Sequence, residues 1–366
     1  GQHRYGDRTG ANSKVSGQTL FNDPGISVFA SDETDVLTVA GSLAVSAGNA
    51  GVGAGVNVST LTKKTTASIE AGADIDVDGN VTVEATGNED IGSFSVAAGA
   101  SSGAGVTLTA DVFVLDLKTR AFIGSDPLAP IGGLTDVRAR GSVLVQALDE
   151  TEMDLIVGGV AIGGSAGVGV AAGVAVVDKV TDAFIGAGAG ARVTGEGHGT
   201  VAARTGRYDV SYAGSQAMSS FEPQGGNKPT ASSLEAGTPS GLTQFKDLDQ
   251  EGGDDVQQDP GLTQNRIANA AVDTGFRGVA VSASAKDDIE TFAISVGGGG
   301  SVGVAVGAAV NIVDTKTKAF IGADAQINQD MAGAGNAGQS VLVAAASDFS
   351  HVGVGAGAAF GGSGAG

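Results

Sequence analysis

The chain has 366 residues, and its 40 acidic and 20 basic side chains give a net charge of −20. Nucleic acids and anionic membrane surfaces are bound through clustered Lys and Arg, so this balance argues against both kinds of partner. Cysteine is absent, which excludes disulfides, thiol catalysis and thiolate metal sites. The 62 glycines and the lack of tryptophan predict a core of thin layers built from Val, Ala, Ile and Leu.

A polar, irregular N-terminal segment, residues 1–25, precedes a series of repeats. Each repeat begins with a short box of alternating apolar residues. Strong copies of this box start at Val81, Val143, Val279 and Val341, and weaker copies start at Ile26 and Val201. The starts lie roughly 60 residues apart, and such a period is typical of repeat architectures. Repeat proteins more often form structural surfaces or assemblies than a single catalytic pocket.

The repeats occupy residues 26–217 and 263–366, and the second block ends inside a repeat. Between them, residues 218–262 contain four of the seven prolines and a cluster of acidic side chains. Proline cannot donate to a strand ladder and is excluded from central strands. The sequence therefore predicts an insertion loop at residues 218–262.

A second box, Ala-Phe-Ile-Gly, recurs at residues 121–124, 183–186 and 319–322. Its large apolar residues are predicted to stack as structural core rungs: Phe122, Phe184, Phe320, Ile123, Ile185 and Ile321. An Asp and a Lys precede each copy at nearly fixed offsets, which predicts a row of surface ion pairs: Asp116 with Lys118, Asp178 with Lys179, and Asp314 with Lys316.

Long Gly/Ala/Val stretches join the two boxes and alternate with a period of two. Residues 168–176 place Val at most even positions and Gly or Ala at the odd ones. This is the signature of a strand, and Gly/Ser clusters between the stretches predict turns, giving about four strands per repeat. A Val face needs a core and a Gly/Ala face tolerates close approach of another sheet, so both faces are expected to be buried.

These patterns predict an all-β, elongated repeat protein, a β-solenoid or β-helix. Stacked antiparallel sheets are the alternative architecture. Because the chain breaks off inside a repeat and enters its first one partway, open ends are expected, and these favour end-to-end self-association.

One carboxylate cluster resembles the start of an EF-hand loop: Asp74, Asp76 and Asp78, followed by Gly79. The bidentate Glu of that motif belongs six residues after the Gly, where Ala85 stands, so the main interpretation is a turn and Ca²⁺ is the only candidate ligand. The three histidines lie far apart in the sequence, and no phosphate loop, zinc spacing or nucleophile constellation is present. The sequence predicts no enzyme and no other cofactor.

Residues 155–177 carry no charge, a length that suits a membrane-crossing segment. The glycine content argues against a helix. Membrane-inserting hairpins alternate apolar with polar side chains, whereas the second face here is Gly and Ala. The sequence therefore argues against membrane insertion, which stays an alternative.

The segment SVGVAVGAAVNIVDTKTKAFIGADA, followed by VLVAAAS, resembles the repeats of very large bacterial leukotoxin-like filamentous adhesins. The resemblance covers residues 26–217 and 263–366. It implies an exported, β-rich fibre component or adhesin, located extracellularly or at the bacterial cell surface. Expected partners are the protein itself and a host or surface glycan or protein. A pore-forming toxin segment and a polysaccharide-acting β-helix enzyme are the alternatives, and the scarcity of aromatics disfavours the enzyme.

Overall fold

The computed structural model describes residues 25–128, 132–186, 190–212, 266–329 and 335–362. This part of the chain contains strands and no helix. The strands are β1 (Ile26–Ser46), β2 (Ala50–Glu70), β3 (Asp74–Val77), β4 (Val81–Ser101), β5 (Ala104–Gly124), β6 (Thr135–Ala139), β7 (Val143–Gly163), β8 (Ala166–Ile185), β9 (Ala191–Gly195), β10 (Val201–Tyr212), β11 (Arg266–Phe276), β12 (Gly278–Gly299), β13 (Val302–Ile321), β14 (Gln326–Ile327) and β15 (Ser340–Gly361).

The chain winds in coils, each made of two long strands and one short strand. The first long strands form sheet A, in the order β1-β4-β7-β12-β15. The second long strands form sheet B (β13-β8-β5-β2), and the short strands form sheet C (β14-β9-β6-β3). Pairing in all three sheets is parallel. The all-β solenoid prediction is therefore confirmed, with three strands per coil instead of four, and the antiparallel alternative is wrong for these sheets.

The strong sequence boxes stack on one another in sheet A. Val81 pairs with Val143, Val143 with Val279, and Val279 with Val341, while the weak copy at Ile26 pairs with Val81. Each coil advances the stack by about 4.8 Å, whereas a strand of 21 residues has a contour of roughly 70 Å at about 3.3 Å per residue. The molecule is thus elongated along its strands.

The weak copy at Val201 lies outside this ladder. It begins β10, which pairs antiparallel with β11. The two strands pack through Val201, Ala203 and Phe276 onto Leu144 and Ala280, which lie on the outer face of sheet A. Val201 therefore marks the start of a hairpin between β9 and β12, and not another coil. The predicted insertion, residues 218–262, lies outside the described residues.

At one end of each coil the three sheets enclose a triangular core. Its buried members come from all three sheets and include Val83, Val145, Ile123, Ile185 and Val193. A second apolar layer follows further along the long strands, with Ile91, Leu115, Leu117, Met153 and Leu155. We call this part the three-sheet end.

At the other end only sheets A and B remain, and we call this two-layered part the blade (residues 39–60, 94–114, 156–176, 292–312 and 354–361). Its Gly/Ala faces point inward. A Cβ on Gly99 would lie 2.6 Å from the Val106 carbonyl oxygen of the facing strand, so only the smallest residues allow this approach. The Val faces point outward, with Val304, Val306 and Val310 exposed. The expectation that both faces are buried is therefore wrong, because the close contact of the two sheets uses the Gly/Ala faces alone.

Candidate functional site

An ionic group, which we call the interior charge cluster, lies between the two apolar layers of the three-sheet end. Its members are Lys63, Glu89, Asp149, Lys179 and Asp287. The lysines come from sheet B and the carboxylates from sheet A. All five occupy inward positions of their strands, in phase with core residues such as Ile91 and Val177. A polar layer is thus built into the solenoid interior.

Lys179 is the centre of the cluster. Its Nζ lies 2.7 Å from a carboxylate oxygen of Asp149 and 2.7 Å from one of Asp287. It also donates to the Thr151 hydroxyl at 2.9 Å. Asp149 accepts a hydrogen bond from the Thr119 hydroxyl as well. The ammonium is thereby surrounded by acceptors, as a buried charge requires.

Lys63 forms the second half of the cluster. Its Nζ lies 2.7 Å from Glu89 and 2.9 Å from Asp32. Glu89 also accepts a hydrogen bond of 2.9 Å from Thr151. Because Thr151 donates to Glu89 and accepts from Lys179, one hydroxyl joins the two halves.

The ionisation of the cluster is set by burial and by mutual charge. Burial, together with the Asp149 charge, raises the pKa of Glu89 to about 8, although Lys63 and Lys179 oppose the shift. Burial also raises the pKa of Asp287, against the attraction of Lys179. For Lys179, burial lowers the pKa, but the charges of Asp149, Asp287 and Glu89 outweigh it and hold the pKa above its usual range. Lys179 therefore stays charged.

The cluster is closed to solvent. The side chain of Lys179 is 1% exposed, and those of Asp149 and Asp287 are fully buried. A substrate cannot reach groups sealed in this way. The role of the cluster is structural, because its ion pairs join sheet A to sheet B and one coil to the next.

Sequence reasoning missed this cluster because it assigned Lys179 to a surface pair with Asp178. Two of the three predicted pairs lie on the surface, with Lys118 at 2.8 Å from Asp116 and Lys316 at 2.7 Å from Asp314. Lys179 lies one position earlier in register, opposite Leu117 and Thr315, and points inward. The missed signal was the alternation of side chains along the strand. Lys179 stands at an odd position, as do the inward Gly and Ala residues of β8, and therefore points inward as well.

The Ala-Phe-Ile-Gly boxes place their two large residues on opposite faces of sheet B. Ile123 and Ile185 are buried in the triangular core, and Ile321 packs against it partly buried. The rings of Phe122, Phe184 and Phe320 stack on the other face, with centroids 4.8 and 4.9 Å apart. The guanidinium of Arg120 lies over the first two rings and pairs with Asp126. The six residues thus stack in two columns, one of Phe and one of Ile, because neighbours in a strand point to opposite faces.

The proposed calcium ligands do not converge. Asp74 and Asp76 lie exposed on the outer face of β3, an extended strand that cannot wrap around an ion. Asp78 pairs with Arg140 at 3.1 Å. Among the described residues, no group of three His, Cys, Asp or Glu side chains could hold a metal. The calcium prediction is therefore not supported at Asp74, Asp76 and Asp78.

A second buried carboxyl lies where the β10–β11 hairpin meets sheet A. Burial raises the pKa of Glu84 to about 8, although the charge of Arg204 lowers it. Gln146 contacts both sides of the junction, donating to Glu84 at 3.5 Å and accepting from the Arg204 backbone NH at 3.2 Å. Fully buried Arg204 thus fixes the hairpin to the solenoid. No sequence motif indicated a site at Glu84, because its partner Arg204 lies far along the sequence.

Comparisons with known proteins identify no relative. No protein-family model, curated protein or solved structure gives a significant match to this chain. Within the described ranges, no helix is long and apolar enough to cross a membrane.

Proposed function

We propose that the chain is a structural, self-associating repeat module of an extracellular or bacterial cell-surface assembly, either a fibre component or an adhesin. The observation that carries the proposal is the pair of free edges of sheet A. Among the described strands, β1 pairs only with β4, and β15 pairs only with β12. A free edge of unpaired NH and CO groups is a template for another strand.

The side chains beside the β15 edge support an association at this end. Its inward positions are uncovered there, and Val341, Val343 and Phe349 are all nearly half exposed. In the register of the sheet, Ile26, Val28 and Ala30 of β1 occupy the same rows as Val341, Val343 and Ala345 of β15. A second copy placed with β1 on β15 would continue the apolar columns of sheet A and cover these residues.

The interior charge cluster also favours a structural role over a catalytic one. The ionisable groups of the cluster form ion pairs with each other and are buried away from solvent. The resemblance to filamentous adhesin repeats adds the expectation of export and display at a surface.

Sedimentation velocity and negative-stain microscopy over a concentration series test the proposal. The parent should form larger species as its concentration rises. Val343→Lys places a charge on a side chain that is 45% exposed, so the fold should persist while association is lost. Leu134→Lys is the matched control, because Leu134 is 52% exposed and lies away from this edge. A parent that remains monomeric at every concentration, or a V343K variant that assembles normally, would contradict the proposal.

A further inference from the structure

The outer face of sheet B in the blade is an uncharged aliphatic surface. Six residues of each strand point outward there, and on β5 they are Ala104, Val106, Leu108, Ala110, Val112 and Val114. The strands β2, β8 and β13 place Val, Ala or Ile at the paired positions, and Thr60 is the exception among these described residues. Val58, Leu108, Val306 and Ile312 are among the exposed members. The rows run unbroken across all four strands of the sheet.

The area of this face suits a protein interface. Neighbouring strands lie about 4.8 Å apart and each residue advances a strand by about 3.3 Å, so six outward positions on four strands cover roughly 750 Å². The largest apolar patch on a typical monomeric protein covers about 300–600 Å². A stable interface between two proteins uses about 800 Å² on each partner. The face is therefore large enough to hold a partner by itself.

The chemistry of the face points to an aliphatic protein surface as that partner. Nucleic acid needs cationic side chains and a glycan needs hydrogen-bonding groups, which the aliphatic rows do not offer. A bilayer is excluded because the outer edges of β2 and β13 are unpaired among the described strands, and hydrocarbon does not tolerate open sheet edges. A protein that packs on the face covers the side chains and leaves these edges in water.

The pattern of large and small residues makes the face complementary to itself. Two sheets pack face to face with their strand directions closely aligned. When two copies pack with antiparallel strands about a two-fold axis between the Leu108 and Ala110 rows, the third outward residue of each strand meets the fourth in the second copy. Each such pair joins one Ala with one larger residue: Leu108 with Ala110, Val170 with Ala172, Val306 with Ala308, and Val56 with Ala54. Large side chains thus fit against small ones in every coil, as close packing requires.

The first charged row also favours antiparallel strands. Beyond the aliphatic rows, Asp116, Asp178 and Asp314 lie in one row on the outer face of sheet B. If both copies pointed the same way, this row would face its own equivalent, and like charges repel. With antiparallel strands it lies beside the tip of the second copy, where the turns consist of small uncharged residues such as Ser102-Gly103.

The thickness of the molecule favours the same arrangement. Inside the blade, a Cβ on Gly169 would lie 2.6 Å from the Val296 carbonyl oxygen, so the two sheets are in close contact. At the three-sheet end, larger side chains such as Leu117 and Leu155 fill the space between the sheets. The molecule is therefore thicker at that end. Antiparallel packing places each thick end beyond the tip of the other copy, so the two blades can approach without a clash.

From these observations we propose that the outer face of sheet B in the blade binds the same face of a second copy, with antiparallel strands across the interface. The two-fold axis runs along the stack of coils, so both solenoids advance in the same direction. This contact is lateral and goes beyond the end-to-end association proposed above. Together the two contacts would join parallel stacks of molecules side by side.

Sedimentation velocity over a concentration series tests the lateral contact in the Val343→Lys background, where edge association is removed. V343K should form a discrete dimer. Adding Leu108→Lys places two cations at the centre of the aliphatic interface and should weaken dimerisation by about thirtyfold or more. Adding Leu134→Lys is the matched control, because Leu134 is similarly exposed, at 52% against 49%, but lies at the three-sheet end. This control should dimerise as V343K does.

Two results would overturn the lateral contact: V343K that stays monomeric at every concentration, or equal dimerisation with and without L108K. Circular dichroism should show that L108K keeps the β-sheet signal of the parent, since the substituted side chain is exposed. Failure of the edge proposal has a different signature, because V343K would then form the same large species as the parent.

A complementary pair of charges tests the antiparallel arrangement. Ala110→Asp alone should also weaken dimerisation, because its carboxylate would be buried against Leu108 of the second copy. An equimolar mixture of L108K and A110D should recover dimers, since the lysine of one chain then meets the aspartate of the other. L108K mixed with Val114→Asp is the control and should not recover, because the Val114 row lies two rows away from the Ala110 row. Equal behaviour of the two mixtures would overturn the proposed pairing of rows.

Discussion

The Lys179 ammonium lies 2.7 Å from the carboxylate of Asp287, although the two residues are 108 positions apart in the chain. Lys179 belongs to β8 and Asp287 to β12, so the ion pair joins the two coils between which the β10–β11 hairpin is inserted. A polar contact inside an apolar solenoid also fixes register, because a shift by one residue would turn every inward charge outward. The solenoid therefore resumes in the correct register after the insertion.

Lys179→Met removes this contact and leaves Asp149 and Asp287 buried without their cation. We expect a loss of about 3–5 kcal/mol in the free energy of unfolding, measured by urea denaturation. Lys316→Met is the control, because its exposed pair with Asp314 should contribute nothing measurable. If K179M unfolds at the parent's urea concentration, the cluster does not hold the coils together.

The stacked phenylalanines offer a second test of the repeat alignment. Phe184 is fully buried between Phe122 and Phe320. Phe184→Ala should lower the free energy of unfolding by about 3–5 kcal/mol, since it opens a cavity in the column. Phe29→Ala, at a ring that is 44% exposed, should cost far less. Similar thermal denaturation midpoints for the two variants would contradict the column.

Much of the fold could be predicted from the sequence, because a solenoid repeats its signals. The Val81, Val143, Val279 and Val341 boxes and the strand period required only local patterns. The orientation of the strand faces was harder to predict. Sequence alone does not say which face of a Gly/Val strand points inward. The usual rule that Val is buried fails in the blade, because the two backbones approach each other too closely for Val to fit between them. The prediction of a repeat at Val201 was wrong for another reason, because a short apolar motif occurs in a hairpin strand as well as in a coil of the solenoid.

The polar sites could be predicted less well. Glu84 and Arg204 meet only after the hairpin folds back on sheet A, which no local pattern encodes. The interior cluster depends on pairing between coils, although the parity of Lys179 was visible. The Asp74, Asp76 and Asp78 motif shows the opposite failure: ligand-like spacing in a strand does not bring carboxylates together.

Two buried carboxyls should make stability depend on pH. The pKa values of Glu84 and Glu89 are raised from 4.5 to about 8 in the folded state, mainly by burial. The folded protein therefore binds protons more tightly than the unfolded chain, and the resulting stability is complete below pH 4.5 and is lost as pH rises towards 8. Denaturation midpoints should fall across this range, with an effect on the order of a few kcal/mol.

Glu84→Gln and Glu89→Gln identify the groups responsible. Glutamine mimics the protonated carboxyl, so each variant should flatten part of the decline and the double variant should remove most of it. E89Q should also retain its stability near neutral pH, in contrast to K179M. A decline of unchanged steepness in the double variant would mean that other groups cause the pH dependence.

The contact between the two sheets of the blade can be tested by adding one methyl group inward or two outward. Gly169 points inward, and a Cβ there would lie 2.6 Å from the Val296 carbonyl oxygen of sheet A. Gly169→Ala should therefore force the sheets apart and cost about 1–3 kcal/mol, as overpacking of a filled core does. Ala172→Val, three residues later on the outward face, has space for its added methyls and should change stability by no more than about 0.5 kcal/mol. Thermal unfolding of the two variants decides the orientation of the blade: a stable G169A beside a destabilised A172V would mean that the Val faces, and not the Gly/Ala faces, form its interior.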